Sequence, residues 1–171
     1  MSAIEVNLGR RPRRLAGVLA LLALLVGAFV LAQAATPTTE LKVATAADLG
    51  AHVTDASGRS LYLFLNDTTN VSNCDAQCIV NWPPVLVAGE GSLPQVEAPI
   101  DAKLLGVAER ADGTYQLTYN GWPLYYYAAD TAAGATGGQG VGGNWYLVTP
   151  QGSAVGIAET DPGGGAPGSA M

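Results

Sequence analysis

Asp67 and Asp130 are the carboxylates whose setting suggests chemistry. Each closes a Tyr-x-aromatic-x-x-Asp segment, Tyr62-Leu63-Phe64-Leu65-Asn66-Asp67 and Tyr125-Tyr126-Tyr127-Ala128-Ala129-Asp130. Two carboxylates facing one another could act as the acid and base of glycoside hydrolysis. With Asn66 and Thr68 they could instead offer oxygen ligands to a hard cation such as calcium, although there is no EF-hand pattern and each cluster alone supplies few ligands. The neighbouring Tyr62, Phe64, Tyr125 and Tyr127 offer amphipathic ring area for binding a ligand. An architectural reading stands beside these: buried rings, a tethered phenol, and an aspartate closing a turn at a strand end.

The remaining reactive side chains are few. His52 is the sole histidine, and a catalytic triad would require Ser57, Ser60 or Ser72 beside it together with an orienting carboxylate. Its position between Ala51 and Val53 reads as an ordinary strand residue. Cys74 and Cys78 are the only cysteines; their C-x3-C spacing misses the redox CxxC and haem CxxCH patterns, and no second pair completes a zinc site. An oxidising compartment favours joining them as a disulfide, worth about 2 kcal/mol for so short a loop; a thiol or metal role is the alternative. The glycines at 134, 137, 138, 140, 142 and 143 lack the lysine of a phosphate loop and the strand-turn-helix setting of a dinucleotide fingerprint. A rich aromatic inventory beside sparse acid–base machinery favours binding over catalysis, with no cofactor required.

The elements that must position these residues read as strands. Ala51–Asp55, the turn Ala56-Ser57-Gly58 and Ser60–Leu65 form a hairpin, with Leu61, Leu63 and Leu65 on one face and Tyr62 and Phe64 on the other. Gly106–Ala111, Thr114–Tyr119 and Pro123–Ala128 form a meander through Asp112-Gly113 and Asn120-Gly121, dipeptides suited to two-residue turns with positive φ. Gly58, Leu61, Tyr62, Asp67, Thr68 and Trp82 recur 63 positions later as Gly121, Leu124, Tyr125, Asp130, Thr131 and Trp145, with Phe64 answered by Tyr127. The chain therefore carries a duplicated unit. The expected fold is all-β: a small antiparallel domain of two related strand units sharing one core. Between Asp and Trp the first copy carries the cysteines and the second the glycines, so the second loop is expected to be the looser and a binding lip. Trp82-Pro83-Pro84 and Trp122-Pro123 add rigid corners, and Tyr119, Tyr126 and Tyr146 add further rings.

Composition gives the address. The chain is 49% hydrophobic and 13% charged, against roughly a quarter charged in ordinary soluble domains. Arg10, Arg11, Arg13 and Arg14 precede an apolar run from Leu15 to Ala32, and Ala32-Gln33-Ala34 matches a small-x-small cleavage site. Residues 1–34 are thus a signal peptide or, since 18 apolar residues can just span a bilayer, an uncleaved anchor. Either way the body is placed outside. Residues 35–39 follow as a linker, 40–152 as the β domain and 153–171 as a flexible tail rich in Gly and Pro. Beyond position 34 there are four basic and thirteen acidic residues; this excludes nucleic acid as a partner.

The two copies, with Gly58–Tyr62, Cys74 and Cys78, Trp82-Pro83-Pro84 and the run from Asp112 to Tyr125, resemble the secreted-repeat lipoprotein family. It comprises exported bacterial proteins of unknown function with a Y-x-(F/W/Y)-x-x-D motif. The resemblance covers about Leu49 to Gly152 and implies an exported protein of the periplasm, cell surface or exterior. It assigns no activity. The lipid-bearing cysteine common in such proteins is absent here, where Leu31-Ala32-Gln33-Ala34 stands instead. The functional expectation is a non-enzymatic binding or interaction protein of the cell envelope or exterior, taking an envelope or extracellular protein, a glycan or a small molecule. Membrane contact is expected only through an uncleaved N-terminal segment. The alternatives are a carboxylate enzyme or calcium-dependent factor using Asp67 and Asp130, and a purely structural envelope protein.

Overall fold

The computed structural model describes residues 40–157. The signal or anchor segment, the linker and the tail beyond residue 157 lie outside the described residues. The chain runs β1 (Glu40–Ala46), β2 (Gly50–Asp55), β3 (Tyr62–Phe64), α1 (Gln77–Asn81), β4 (Leu86–Val87), β5 (Gln95–Val96), β6 (Leu105–Glu109), β7 (Tyr115–Tyr119), β8 (Trp122–Pro123) and β9 (Trp145–Leu147). The fold is all-β and predominantly antiparallel, as expected. The sheets are ordered β2-β1-β5, β3-β9 and β4-β7-β6, with β8 also paired to β7. Only the short β1–β5 contact is parallel among these strand pairs.

The turns follow from their residues. Asn120 and Gly121 both take positive φ (50° and 78°), so Tyr119 and Trp122 face each other across a two-residue turn. Asp112-Gly113 differs from expectation. Only Gly113 is left-handed (φ 79°), Arg110 and Thr114 flank a three-residue loop, and the Gly113 N–H donates to the Arg110 carbonyl at 2.9 Å. Asp112 accounts for the difference, because its Oδ1 accepts from the Thr114 N–H and hydroxyl and stabilises the longer turn. A three-residue loop of the same kind joins Asp55 to Arg59, with Gly58 left-handed (φ 83°) and Asp55 Oδ1 accepting from the Ser57 and Arg59 N–H groups, although the 63-residue offset pairs Gly58 with Gly121 of the two-residue turn.

Strand alternation separates two packed clusters. Leu61 and Leu63 enter one with Leu41, Val53, Leu117, Leu124 and Val148, and Leu65 packs against it. Tyr62 enters the other with Cys74, Trp82, Tyr125, Trp145 and Leu147, and Phe64 packs against that one. The period-two reading of this segment therefore holds on both faces.

The two repeats are interleaved rather than set side by side. Val85 of the first copy donates to the Leu124 carbonyl of the second, while Val148 of the second donates to Leu61 of the first. Leu65 donates to Asn144 at 2.8 Å, and Ala128 donates to Asn81 at 2.9 Å. Each copy thus completes its strand with the Trp-bearing segment of the other. The fold also extends past the expected boundary at residue 152. Ala154 and Val155 are buried, and Thr149 and Val155 donate to the Ser153 and Leu147 carbonyls, so Ser153–Ile157 belongs to the domain rather than to a flexible tail.

Candidate functional site

The repeated motif converges on the interface between the copies. Tyr62 and Tyr125 exchange both backbone hydrogen bonds, each N–H donating to the other's carbonyl at 2.9 Å. This pairing places each phenol beside the other copy's turn. Asp67 and Asp130 are set by matching turns, with their N–H groups donating to the Phe64 and Tyr127 carbonyls at 3.0 Å. The carboxylates then cross over. The Tyr62 hydroxyl donates to Asp130 Oδ2 at 2.5 Å, and the Tyr125 hydroxyl donates to Asp67 Oδ2 at 2.7 Å. The remaining oxygens accept backbone N–H groups, Asp67 Oδ1 from Asn73 at 2.7 Å and Asp130 Oδ1 from Gly137 at 2.9 Å. Both tyrosines are fully buried, and Asp67 and Asp130 are 3% and 7% exposed.

The two locks differ in what surrounds them. The Tyr125 hydroxyl also lies 2.7 Å from Ser72 Oγ, and the Arg110 guanidinium donates to Ser72 Oγ, Gln116 Oε1 and the Cys74 carbonyl. An S–S bond with a 5.3 Å Cα separation joins Cys74 to Cys78, closing a short loop that begins at the residue whose carbonyl Arg110 holds. In the second lock, backbone N–H groups stand in for side chains: Gly138 donates to the Tyr62 hydroxyl at 3.2 Å. Burial pushes the Asp67 carboxyl up to about 6, outweighing the hydrogen bonds from Asn73 and Tyr125 and the charge of Arg110, which pull it down. Burial, followed by the contact with Asp130, raises the Tyr62 phenol. Burial and the charge of Asp67 raise that of Tyr125.

The rings form a column that also alternates between copies. Phe64 stacks on Trp145 at 4.1 Å, Trp145 on Trp82 at 3.9 Å with planes 1° apart, and Trp82 on Tyr127 at 4.4 Å. Tyr62 meets Trp82 edge-on at 5.5 Å, and Tyr125 meets Trp145 edge-on at 5.1 Å. The end rings, Phe64 and Tyr127, are half-buried.

The six residues singled out in sequence therefore share one cluster, but the two carboxylates address different tyrosines instead of a common cleft. Among the described residues, no group of three or more His, Cys, Asp or Glu is gathered as for a metal ion. His52 Nε2 does lie 3.1 Å from Ser60 Oγ. However, Ser60 donates to the Ala135 carbonyl at 2.6 Å, His52 Nδ1 faces the Gly50 carbonyl, and both side chains are 1% exposed. Burial pushes the imidazole below its usual range. This pair lacks the orienting carboxylate and the free hydroxyl proton of a triad.

The glycine loop, expected from its composition to be a loose lip, is tied to the core at Gly138 and Gln139, while Gly134, Gly140, Gly142 and Gly143 are exposed. Gly138 is buried, and a Cβ there would lie 2.7 Å from the Tyr62 ring and 3.0 Å from Trp82. Gln139 accepts from the Leu147 N–H and donates to the Val155 carbonyl. Glycine serves here for close backbone approach to buried rings. Sequence reasoning missed Arg110, Asn73 and this use of Gly137 and Gly138, and it considered Ser72 only as a partner of His52 and not of Tyr125. All are partners through the folded backbone, and only the equal loop lengths after each Asp hinted at them.

Two tandem segments, residues 43–86 and 106–149, match the family described as a secreted repeat of unknown function. They are separated by the same 63 positions as the motif residues and together make up more than half of the chain. No curated protein and no solved structure matches the chain. With both copies matched and interleaved about one Tyr–Asp crossover, the chain belongs to this family of secreted repeats, exported to the periplasm, cell surface or exterior.

Proposed function

We propose that the protein is a non-enzymatic binding or interaction protein of the cell envelope or extracellular space, and that its repeated motif builds the scaffold while partners dock outside it. An envelope or extracellular protein, a glycan or a small molecule would be the partner. One observation carries this reading: all four oxygens of Asp67 and Asp130 accept hydrogen bonds from the chain itself. A carboxylate so engaged is a poor general base or cation ligand, because substrate or metal must first displace partners already inside a desolvated core. Contact area would come from exposed apolar side chains, of which Val71, Val80, Leu86 and Leu93 are the largest among the described residues.

The test measures retention of the exported protein on isolated envelopes beside its Asp67→Asn, Asp130→Asn, Val80→Asp and Leu86→Asp variants, each first checked for folding. Retention is expected to survive both Asn substitutions in folded protein and to fall with the surface substitutions. Saturable turnover, or calcium-dependent retention, lost in folded Asp67→Asn or Asp130→Asn would overturn the reading in favour of a carboxylate enzyme or calcium factor. Equal retention of every variant would favour a purely structural role.

A further inference from the structure

We propose that the Cys74–Cys78 bridge is a reversible attachment site for a small cationic or uncharged thiol, which opens the bridge by thiol–disulfide exchange and is held as a mixed disulfide on Cys78. The inference is independent of the binding reading above. The two cysteines have unequal settings. Cys74 is fully buried in the cluster that holds Tyr62 and Trp82, whereas Cys78 is half-buried and packs at the edge of that cluster. An incoming thiolate therefore meets Cys78 first. The surroundings leave room for an adduct: Asp75, Ala76, Gln77 and Val80 are exposed, and α1, which carries Cys78, contains no buried residue.

The turn between the cysteines is strained. The Cys78 N–H donates to the Asp75 carbonyl at 2.8 Å, which makes Ala76 the first central residue of a four-residue turn. Its φ of 41° and ψ of -111° belong to the type II′ position that glycine ordinarily fills, because a Cβ is crowded there. Opening the bridge lets this turn relax, and disulfides held in strained or exposed loops are the labile ones. The neighbouring fold stays in place meanwhile. The Trp82 N–H donates to the Cys78 carbonyl and the Ala128 N–H to the Asn81 carbonyl, and exchange at sulfur touches neither bond.

The step exchanges one S–S bond for another. The thiolate sulfur bonds to Cys78 Sγ as the Cys74–Cys78 bond breaks, the electron pair leaves on Cys74 Sγ, and Cys74 takes up the proton that the incoming thiol gave up. No further oxidant or reductant enters, and attack by Cys74 on the mixed disulfide reverses the step. Burial alone opposes a thiolate at Cys74, but a cation stands beside it. The Arg110 guanidinium donates to the Cys74 carbonyl at 2.7 Å and to Ser72 Oγ at 2.8 Å, and its one ion pair among the described residues, with Asp112, is 4.0 Å long. The Arg110 side chain is 7% exposed, so its charge serves the leaving sulfur inside rather than the thiol arriving from outside. On the outer side, Asp75 is the only charged residue between the cysteines, and no lysine or arginine occurs between Arg59 and Lys103. This local acidity disfavours an anionic thiol.

The probes are cysteamine, a cationic aminothiol, and 2-mercaptoethanesulfonate, an anionic thiol, each added in excess to the exported protein and followed by acid quenching, intact mass and peptic mapping. The expected product is one cysteamine per chain, on Cys78, with Cys74 as the free thiol. Its rate of formation should rise in proportion to thiolate concentration, and removal of cysteamine should restore the bridge. With each probe normalised to its own rate on a small neutral disulfide, cysteamine should react at least fivefold faster than the sulfonate. Ala76→Gly supplies the residue that the turn prefers, keeps both cysteines, and should slow exchange at least threefold. An adduct on Cys74, or a rate that levels off at the rate of global unfolding, would overturn the site. An unchanged rate in Ala76→Gly would overturn the strained turn as its cause, and equal normalised rates for the two probes would overturn the assigned class of thiol.

Discussion

The Tyr62 hydroxyl reaches Asp130, 68 residues further along the chain, while the two tyrosines of the motif hold each other by paired backbone hydrogen bonds. Neither motif tyrosine serves the aspartate of its own copy. Removing one hydroxyl therefore orphans a buried carboxylate oxygen in the opposite copy. Tyr62→Phe and Tyr125→Phe should each lose about 1.5–3 kcal/mol, the range for hydrogen bonds to charged groups. Urea denaturation of both variants checks this. A loss under about 0.5 kcal/mol, the size of an ordinary surface change, would mean that the crossover contributes little.

Asp67 makes the domain's stability depend on pH in an unusual direction. Its folded value, about 6, lies above the ordinary 3.8, so the folded state holds its proton more tightly than the unfolded chain. The contribution is fully present below about pH 4 and is lost as pH rises through about 6, amounting to about 3 kcal/mol at 1.4 kcal/mol per unit. Asp112, exposed and held below its usual value by Thr114, acts in the opposite direction. The difference between wild type and Asp67→Asn isolates the buried group. Unfolding free energies at pH 4 and pH 7 should show the wild type losing stability relative to Asp67→Asn on going to the higher pH; a constant difference would remove Asp67 as the cause.

Gly138 tests the close approach of the second loop. A Cβ would meet Tyr62 at 2.7 and 2.8 Å and Trp82 at 3.0 Å, and both rings are buried within the same cluster. Gly138→Ala should cost about 1–3 kcal/mol, as for other overpacked cores. Gly91, where a Cβ would meet nothing within 4 Å and φ is not in the left-handed region, should tolerate alanine or gain slightly through a less flexible unfolded chain. Thermal melts of the two variants side by side separate packing from glycine content, and equal shifts would contradict the packing account.

The 63-residue offset and the alternation of Leu61–Leu65 were legible because they are local periods, and they fixed the duplicated unit and the two faces of β3. The crossover was not legible. Nothing in Tyr62-Leu63-Phe64-Leu65-Asn66-Asp67 states whether the phenol meets Asp67 or Asp130, since that choice is made by the Tyr62–Tyr125 backbone pairing. One role in the glycine loop was hidden for a related reason. Its composition signals freedom in an isolated chain, but at Gly138 the missing side chain permits contact with Tyr62 and Trp82. Arg110 carried no sequence signal, because its Ser72 and Cys74 partners lie 38 and 36 residues away.

The disulfide should affect one lock and spare the other. Cys74–Cys78 closes the loop that starts immediately after Asn73, whose N–H donates to Asp67, and includes the Cys74 carbonyl that accepts from Arg110. The second lock has no such staple and relies on Gly137 and Gly138. Replacing both cysteines with serine should cost about 2 kcal/mol through the freed unfolded chain, together with local loosening around Asp67. Hydrogen exchange resolves the two parts, because local opening exposes individual amides without global unfolding. Relative to the global change, the Asn73 amide should lose additional protection while the Gly137 amide follows global stability alone. Uniform loss at both amides would mean that the staple stabilises only the unfolding equilibrium and has no special hold on the first Tyr–Asp lock.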